Sequence, residues 1–378
     1  MDFDFSEEQR QLKDAARRFL SARCPLSLVR ATLEEHAERR ASRALFKEIA
    51  ELGWCGTAIP EANGGLGLGY VELCAIAEEL GRAVAPVPFA STLYFFAEAL
   101  LLAGSPAQQA EWLPKIACGE LIGCFATAEG PGRPSSSQTT VVEAGRITGT
   151  KIPVTDGGIA HVAVVLAAAA GAPGLYLVQL GQTAVQRVPL SSLDGSRGVA
   201  SLSFDGAHAE PLGRPGAGLH LVDRVFERAA VLLAFEQIGG ADRCLQMARD
   251  YALQRYVFGR PIGSFQAVKH RLADMYVRNE LARSNAYCAA WALDTNAGEL
   301  PIAAASARLA ASDAFGFAAK ENIQIHGGIG FTWEADPHLF FRRARQLSLV
   351  AGAPAVWGEQ LVAALSSRQA SSVAECGT

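Results

Sequence analysis

Two short segments in the last third of the chain contain residue types that could bind a phosphate-rich molecule. The first, QRYVFGRPIGSFQ (254–266), places Arg255 and Gln266 on either side of a turn rich in Gly and Pro. An arginine fork beside exposed backbone N–H groups provides the donors that a diphosphate needs. The second, IQIHGGIGFTWE (323–334), has two consecutive glycines after a helical pattern. Since Gly and Pro also form ordinary helix–helix turns, composition alone leaves both interpretations open.

Motifs for several other chemistries are missing from the sequence. GGLGLG (64–69) resembles a phosphate loop, but Tyr70 occupies the third glycine position of a dinucleotide fingerprint and no strand precedes it. The chain has no GxxxxGK[ST], GxSxG or HExxH motif. Its eight cysteines include no CxxC pair, so we expect no bound metal and no thioredoxin-type site. These observations disfavour a nicotinamide Rossmann enzyme, a nucleotidase, a serine hydrolase and a zinc protease.

Composition indicates a globular protein with two or three packed regions. Of the 378 residues, 50% are hydrophobic and 19% charged, and the net charge is −4 without a long basic block, so we expect no nucleic-acid partner. The acidic, amphipathic start MDFDFSEEQRQLKD is unlike a secretory signal, and we expect a cytoplasmic location. The apolar run at 162–178 is interrupted by Gly171, Pro173 and Gly174, which predicts two strands and a turn rather than a membrane span.

The order of patterns along the chain is helical, then β, then helical. Short β-like runs separated by Gly, Pro, Ser and Asp occupy 121–211, whereas helical periodicity precedes them and returns from Ala217. The predicted fold class is therefore α+β and multi-domain. The predicted regions are an N-terminal helical domain (1–120), a middle antiparallel β domain (121–213), a C-terminal four-helix bundle (214–366) and a flexible tail (367–378).

Several individual elements can also be predicted. Ser6 followed by acidic residues is typical of a helix N-cap. The spacing of Phe265, Val268, Leu272 and Met275 predicts a buried stripe on one helix. Further helices are expected at Tyr70–Arg82, Pro86–Ala103 and Ser105–Cys118.

Five segments of the sequence strongly resemble the acyl-CoA dehydrogenase flavoproteins. The matching segments, in order, are PEANGGLGLG, FATAE, GTKIPVTDGGIAHVAVVLA, RYVFGRPIGSFQAVKHRLADM and QIHGGIGFTWE. Five segments in register with the α–β–α order extend the resemblance over nearly the whole chain. It implies an N-terminal helical domain, a middle β domain and a C-terminal four-helix bundle, usually assembled as a dimer of dimers.

The resemblance also implies FAD as the cofactor, between the β domain and the C-terminal bundle, with a neighbouring subunit completing the site. Thr127 and Thr155 would contact the flavin ring, with Thr155 near its N5 edge. Arg255 would contact the pyrophosphate across the dimer, with Phe258 and Gln266 beside it.

A third group would serve the adenine end of the cofactor. Gln324, Gly327 and Gly328 would allow that end to approach the backbone closely. The resemblance implies an acyl-CoA substrate, an electron-transfer flavoprotein or similar acceptor, and a homo- or hetero-tetramer that could include a homologous chain.

The catalytic base of the family is the main departure. The family reaction takes a proton from the acyl α-carbon with a carboxylate in a dry pocket. In most members this Glu precedes a Gly and a Thr, but the matching positions here are Ala351, Gly352 and Ala353. A minority place the base on an earlier helix, where counting back from the arginine motif reaches about Ala229. Neither position is acidic.

Three carboxylates lie near the second position in sequence. They are Glu227, Glu236 and Asp242. Each is a candidate base, although solvated or structurally paired carboxylates are the commoner outcome on such a helix.

Two other segments differ from the family pattern. TAEGPGRPSSS (127–137) replaces the acidic-Pro-Gly-Ser-Asp segment that helps to hold phosphates and substrate. Its serines Ser135 to Ser137 could substitute, although Arg133 and Pro134 change the loop. Pro153 stands where the family usually has an aromatic residue beside the flavin.

Three functions remain open from the sequence. The chain could be one subunit of a two-chain acyl-CoA dehydrogenase whose other chain holds the base. GFTWEADPHLFFRRAR resembles the bacterial subgroup associated with bulky acyl groups such as sterol side chains. Alternatively, it could be a self-sufficient homo-oligomer with a relocated carboxylate, or a non-catalytic structural relative.

Overall fold

The structure is a computed structural model that describes residues 5–34 and 40–376. The chain divides into two compact units, each built from discontinuous parts of the sequence. The first comprises Met1–Arg30, Tyr70–Ala85 and Ala230–Thr378, and the second comprises Ala31–Gly69 and Pro86–Ala229. None of the described helices combines the length and the apolar character that crossing a membrane requires.

Helices occur in both units and form most of the first. The α-helices are α1 (Glu7–Arg23), α2 (Leu26–Glu34), α3 (Arg40–Glu51), α4 (Tyr70–Arg82), α5 (Glu98–Ala103), α6 (Pro106–Ala117), α7 (Gly218–Gln254), α8 (Gln266–Asp294), α9 (Leu300–His326), α10 (Pro337–Leu347) and α11 (Pro354–Cys376). A π-helix, Ala90–Ala97, leads directly into α5. Short 3-10 helices lie at Trp54–Gly56, Glu61–Asn63, Ile262–Ser264 and Gly327–Phe331.

The helix starts follow from local capping chemistry. Ser6 is the N-cap of α1 as predicted, and its hydroxyl accepts from the Gln9 backbone N–H while the Gln9 side chain accepts from the Ser6 N–H. Ser105 caps α6 in the same way. The predicted bounds of α4 are confirmed. The helix predicted from Pro86 instead begins at Ala90, because Val87 precedes Pro88 and the residue before a proline is disfavoured in the α region.

The second unit contains an eight-stranded sheet that is mostly antiparallel, as predicted. Its strands are β1 (Gly123–Ala126), β2 (Val141–Glu143), β3 (Arg146–Thr155), β4 (Val162–Ala169), β5 (Ala172–Gln179), β6 (Val185–Leu190), β7 (Val199–His208) and β8 (Glu210–Leu212). The order is β6-β7-β3-β2-β4-β5-β8, and β1 pairs with β4 in parallel. The predicted turn in the apolar run is confirmed: Ala170 and Gly171, both at positive φ, connect β4 to β5.

In the first unit, α9 packs against α8, α10 and α11. Gly240 of α7 lies against Phe315 of α9, where an added Cβ would be 2.4 Å from the ring. The predicted stripe on α8 is only partly buried, because Met275 is buried whereas Phe265, Val268 and Leu272 are half-buried. Five helices, α7 to α11, occupy the region predicted as a four-helix bundle.

The C-terminal helix is longer than predicted. Helical periodicity was expected to end near residue 366, with a flexible tail over 367–378, but α11 continues to Cys376. This is possible because no Gly or Pro interrupts 359–376. Residues 377 and 378 of the predicted tail lie outside the described residues.

Candidate cofactor site

The connection between α7 and α8 contains a short β-hairpin and is therefore not a simple helix–helix turn. A two-stranded hairpin, β9 (Tyr256–Val257) with β10 (Arg260–Pro261), is inserted between the helices. Phe258 and Gly259 form its turn with φ values of 54° and 76°. The Ile262 N–H donates to the Arg255 carbonyl at 2.8 Å and so closes the base of the hairpin.

Three side chains of this segment, those of Arg255, Phe258 and Gln266, are exposed. Phe258 is 91% exposed. A non-glycine residue in the left-handed region costs about 1–3 kcal/mol, and such strain is concentrated at functional sites. Arg255 and Gln266 are also exposed, and their side chains have no hydrogen-bond or ion-pair partner within residues 5–34 and 40–376. All three are available to a ligand or a second subunit.

The turn after α9 presents a second set of polar groups. Gly327 ends the helix at φ 67°, and its N–H donates to the Gln324 carbonyl. The Gln324 side chain is exposed and has no partner in the described part of the chain. Gly330 is required by packing, because an added Cβ would lie 2.7 Å from His326 Cβ. At Gly328 an added Cβ would meet open space, so contacts among described residues give no reason for glycine there.

Stacked rings hold these two segments together in the first unit. The His326 and Tyr251 rings have centroids 4.3 Å apart and an interplanar angle of 25°. Tyr251 lies one helical turn before Arg255 and accepts its N–H at 2.8 Å. His326 is the last residue of α9, directly before Gly327. The structure therefore brings the predicted pyrophosphate and adenine residues into one region.

The two threonines predicted for the flavin ring lie in the second unit. Thr127 follows β1 and is 6% exposed, whereas Thr155 is the half-buried last residue of β3. Neither hydroxyl has a hydrogen-bond partner among the residues that the structure describes. Two poorly exposed hydroxyls with free hydrogen-bonding capacity suit the polar edge of a heterocycle.

A buried ion pair beside these threonines was missed by the sequence reasoning. Lys151 is fully buried, and its Nζ lies 2.7 Å from Glu129 Oε1 and 2.6 Å from Gln138 Oε1. One signal could have found it: Lys151 is separated from buried Ile147 by four strand positions, so both face inward on a period of two. A lysine at an inward position requires a buried partner.

Ala351 occupies a structured turn between α10 and α11. Its φ is 60°, and Gly352 follows at 110°. The fully buried Arg308 holds this turn by donating to the carbonyls of Leu347 and, at 2.8 Å, Val350. The position at which the resemblance predicts the family's base is thus well defined in structure but bears only a methyl group.

The candidate carboxylates on α7 have different surroundings. Glu236 is fully buried beside Arg343 at 3.5 Å. Asp242 pairs with Arg283 at 2.5 Å and Arg82 at 3.2 Å. The structure therefore gives both of these carboxylates arginine partners.

Glu227 differs from the other two carboxylates. Its nearest cationic partner is Arg224 at 3.9 Å, and its side chain is 19% exposed. Burial raises the pKa of Glu227 above its ordinary value. Ala229, the alternative base position, is completely buried.

Sequence comparisons agree with these features. The acyl-CoA dehydrogenase N-terminal domain matches residues 6–120, and the C-terminal domain of the same family matches residues 216–366. The chain is 36% identical over 340 residues to acyl-CoA dehydrogenase IpdE2 of Mycobacterium tuberculosis, which covers 89% of this chain and 91% of that protein.

Solved structures show the same fold. The Tcur3481-Tcur3483 steroid ACAD G363A variant is 30% identical with a TM-score of 0.86, covering 96% of this chain and 99% of the other. The ChsE4-ChsE5 complex from Mycobacterium tuberculosis is 28% identical with a TM-score of 0.86, covering 97% and 99%. This chain belongs to the acyl-CoA dehydrogenase family of flavin-linked oxidoreductases.

Proposed function

We propose that this chain is one subunit of an FAD-dependent two-chain acyl-CoA dehydrogenase that introduces an α,β double bond into an acyl-CoA. Family membership supports FAD-dependent acyl-CoA dehydrogenation in general. The observation that carries the two-chain arrangement is Ala351, a methyl group where most of the family has its base.

The chemistry makes this substitution consequential. A carboxylate must remove a proton from the α-carbon, and FAD, when bound, would supply the acceptor for the hydride that leaves the β-carbon. A missing general base costs about 10²–10⁴-fold in rate. Glu236 and Asp242 are held by arginines and are poorly suited to accept a substrate proton. A base supplied by a second, homologous chain avoids this loss.

The residues of this chain fit the binding of FAD. Among the residues that the structure describes, the Arg255 guanidinium has no partner and suits a pyrophosphate, and the side-chain amides of Gln266 and Gln324 have none either. In the second unit, Thr127 and Thr155 offer hydroxyls for the flavin ring. Because Arg255 and Phe258 are exposed, we propose that they serve the FAD of a neighbouring subunit.

The surface of α8 supports assembly into an oligomer. Tyr276, Val277 and Leu281 are 56%, 54% and 60% exposed, although other apolar residues of the same helix are buried. A helix that is apolar on more than one side is usually covered on both. We propose that a second acyl-CoA dehydrogenase chain covers this face in a homo- or hetero-tetramer.

The relatives support a proposal for the substrate class. A bulky acyl-CoA such as one with a steroid side chain is proposed, since one similar solved structure is named a steroid ACAD and another is a complex of two named chains. The electron acceptor in this proposal is an electron-transfer flavoprotein or similar protein.

Co-expression with homologous acyl-CoA dehydrogenase chains of the same organism tests the proposal. The purified assembly and the single chain would each be titrated anaerobically with acyl-CoAs of increasing bulk while the visible flavin spectrum is recorded. We expect flavin bleaching only in the assembly with two different chains. Full bleaching and turnover by the single chain would contradict the two-chain arrangement, whereas a colourless assembly would indicate a non-catalytic relative.

One observation favours a second candidate, a self-sufficient homo-oligomer. Burial raises the pKa of Glu227, as is needed for a base that works near neutral pH. In that case the single chain would turn over acyl-CoA, and Glu227→Gln would abolish the activity.

A further inference from the structure

One loop connects the Thr127 segment, which follows β1, to strand β2. This loop comprises residues 130–138, between Glu129 and Thr139. The Glu129 carboxylate accepts from the Thr139 N–H and hydroxyl, both at 2.8 Å, and from the Thr140 N–H at 2.9 Å. A single side chain at the start of the loop thus holds the end of the loop.

The Glu129 carboxylate also binds a residue of β3. Lys151 Nζ lies 2.7 Å from Glu129 Oε1, and the Ile152 N–H donates to the Ala128 carbonyl at 2.8 Å. Glu129 is two residues after Thr127, and Lys151 is four residues before Thr155. The ion pair therefore joins the two segments that carry the threonines.

Lys151 also reaches into the loop itself. Its Nζ donates to Gln138 Oε1 at 2.6 Å, and the Gln138 amide donates to the Ser135 carbonyl at 2.6 Å. The Ser135 hydroxyl donates to the Ser137 carbonyl at 3.1 Å. A continuous series of hydrogen bonds runs from the buried ammonium to the serine-rich part of the loop.

Close packing leaves little freedom at the base of the loop. Gly149 has φ 140°, and an added Cβ would lie 2.6 Å from Thr140 Cα. The backbone at Thr140 is thus pressed against β3, next to the carboxylate that accepts its N–H. Removing one partner of such an ion pair would leave the other charge uncompensated, so the pair favours the geometry in which both groups are satisfied.

We propose that the Glu129–Lys151 ion pair is a positioning device for flavin binding, which fixes loop 130–138 and the two threonine segments in one arrangement. This inference rests on the proposed function. Thr127 and Thr155 are the groups that touch the cofactor, and Glu129 and Lys151 act through them. Losing the pair releases the loop and lets both hydroxyls leave their positions.

Lys151→Met tests this, because it removes the charge and keeps much of the side-chain volume. Lys13→Met is a matched control: Lys13 Nζ lies 2.5 Å from the fully buried Glu78 in the first unit. Full-length protein, assembled with its partner chain where one is required, would be titrated with FAD by flavin fluorescence. Hydrogen exchange at 130–140 and the melting temperature would be measured on the same samples.

We expect Lys151→Met to raise the Kd for FAD by about 10- to 100-fold and to speed hydrogen exchange at 130–140. Lys13→Met should change the Kd by less than about twofold while lowering the melting temperature. An unchanged Kd in Lys151→Met, or a raised Kd with unchanged exchange in the loop, would overturn the inference. Wild-type protein that binds no FAD would instead remove the proposed function itself.

Should Lys151→Met fail to fold, the double variant Glu129→Leu/Lys151→Met removes both charges and leaves none unpaired. The same increase in Kd and in loop exchange is expected. Wild-type FAD affinity in this variant would overturn the inference as well.

Discussion

Arg343 Nη1 lies 3.5 Å from Glu236 Oε1, and both side chains are completely buried. The guanidinium of Arg343 also donates to the Ala85 carbonyl at 3.3 Å. Buried Arg308 lies close enough for Glu236 to favour its charged form, although burial lowers the pKa of Arg308 to about 10. One carboxylate therefore stabilises two buried guanidinium groups, which explains an acidic residue here without a catalytic role.

Glu236→Ala should lower the free energy of unfolding by about 3–5 kcal/mol, because it leaves buried positive charge uncompensated. Chemical denaturation measures this loss directly. Glu359→Ala, at an exposed position of α11, is the control and should change stability by less than about 0.5 kcal/mol. Equal stability of the two variants would show that the arginines do not depend on Glu236.

Arg255→Ala should weaken FAD binding without destabilising the fold. Since the guanidinium has no partner among the described residues, none of them loses a hydrogen bond or an ion pair. A hydrogen bond to a charged group contributes about 1.5–3 kcal/mol, which corresponds to about a 10- to 100-fold rise in the Kd. Flavin titration and a thermal melt separate the two effects. Arg249→Ala is a control, because Arg249 is exposed on α7 and pairs with Asp250 at 2.7 Å; a comparable loss of FAD there would contradict a specific role for Arg255.

Glu227→Gln distinguishes the two enzymatic proposals. In the two-chain proposal, the co-expressed assembly should keep its turnover to within about threefold, because the base lies on the other chain. Burial raises the pKa of Glu227, so a catalytic Glu227 would give a rate that rises with pH through that raised pKa. Turnover measured over a range of pH in wild type and variant decides this, and a loss of about 100-fold or more would favour the self-sufficient enzyme.

Local patterns along the chain predicted the helices, strands and turns well, but they did not predict contacts between residues that are far apart in sequence. The capping of α1 by Ser6 and the turn at Gly171 depend on a few neighbouring residues, so the sequence carries their signals. The contact between Arg308 and the Val350 carbonyl joins residues 42 positions apart, and no local periodicity encodes it. The π-helix at Ala90–Ala97 has no propensity signal of its own.

The candidate site was predictable in type but not in arrangement. The resemblance identified Arg255 and Gln324 separately, whereas the stacking of Tyr251 on His326 shows that their segments adjoin. The resemblance also left the carboxylates of α7 undecided. The arginine partners of Asp242 come from α4 and α8, which are far from it in sequence.

Leu281→Glu should reduce the size of the assembly. A charge on the apolar face of α8 would be desolvated if a second chain covers that face. We expect the molecular mass in solution to fall to that of a smaller oligomer, as measured by light scattering. Val188→Glu places the same charge at another exposed apolar position, on β6, and should leave the mass unchanged. An unchanged mass in Leu281→Glu would show that this face is not an interface.

Glu129 should make the second unit sensitive to acid. Burial acts to raise the pKa of this carboxyl, but hydrogen bonds from Lys151 and from the Thr139 and Thr140 backbone outweigh it and lower the pKa to about 2. Burial lowers the pKa of Lys151, and the Glu129 carboxylate at 2.7 Å partly opposes this effect. A depressed carboxyl pKa stabilises the fold above the ordinary value of 4.5, and this contribution is lost as the pH falls towards 2.

Glu129→Gln should therefore be less stable than wild type at pH 7, and the difference should shrink as the pH falls from about 5 to about 3. Urea unfolding midpoints at several pH values measure this convergence. Glu111→Gln, which affects only an exposed pair with Lys115 at 3.8 Å, should run parallel to wild type throughout. A stability gap between Glu129→Gln and wild type that stayed constant down to pH 3 would contradict this prediction. It would show that the negative charge of Glu129 does not hold the base of the loop, and that hydrogen bonds of the neutral carboxyl group do.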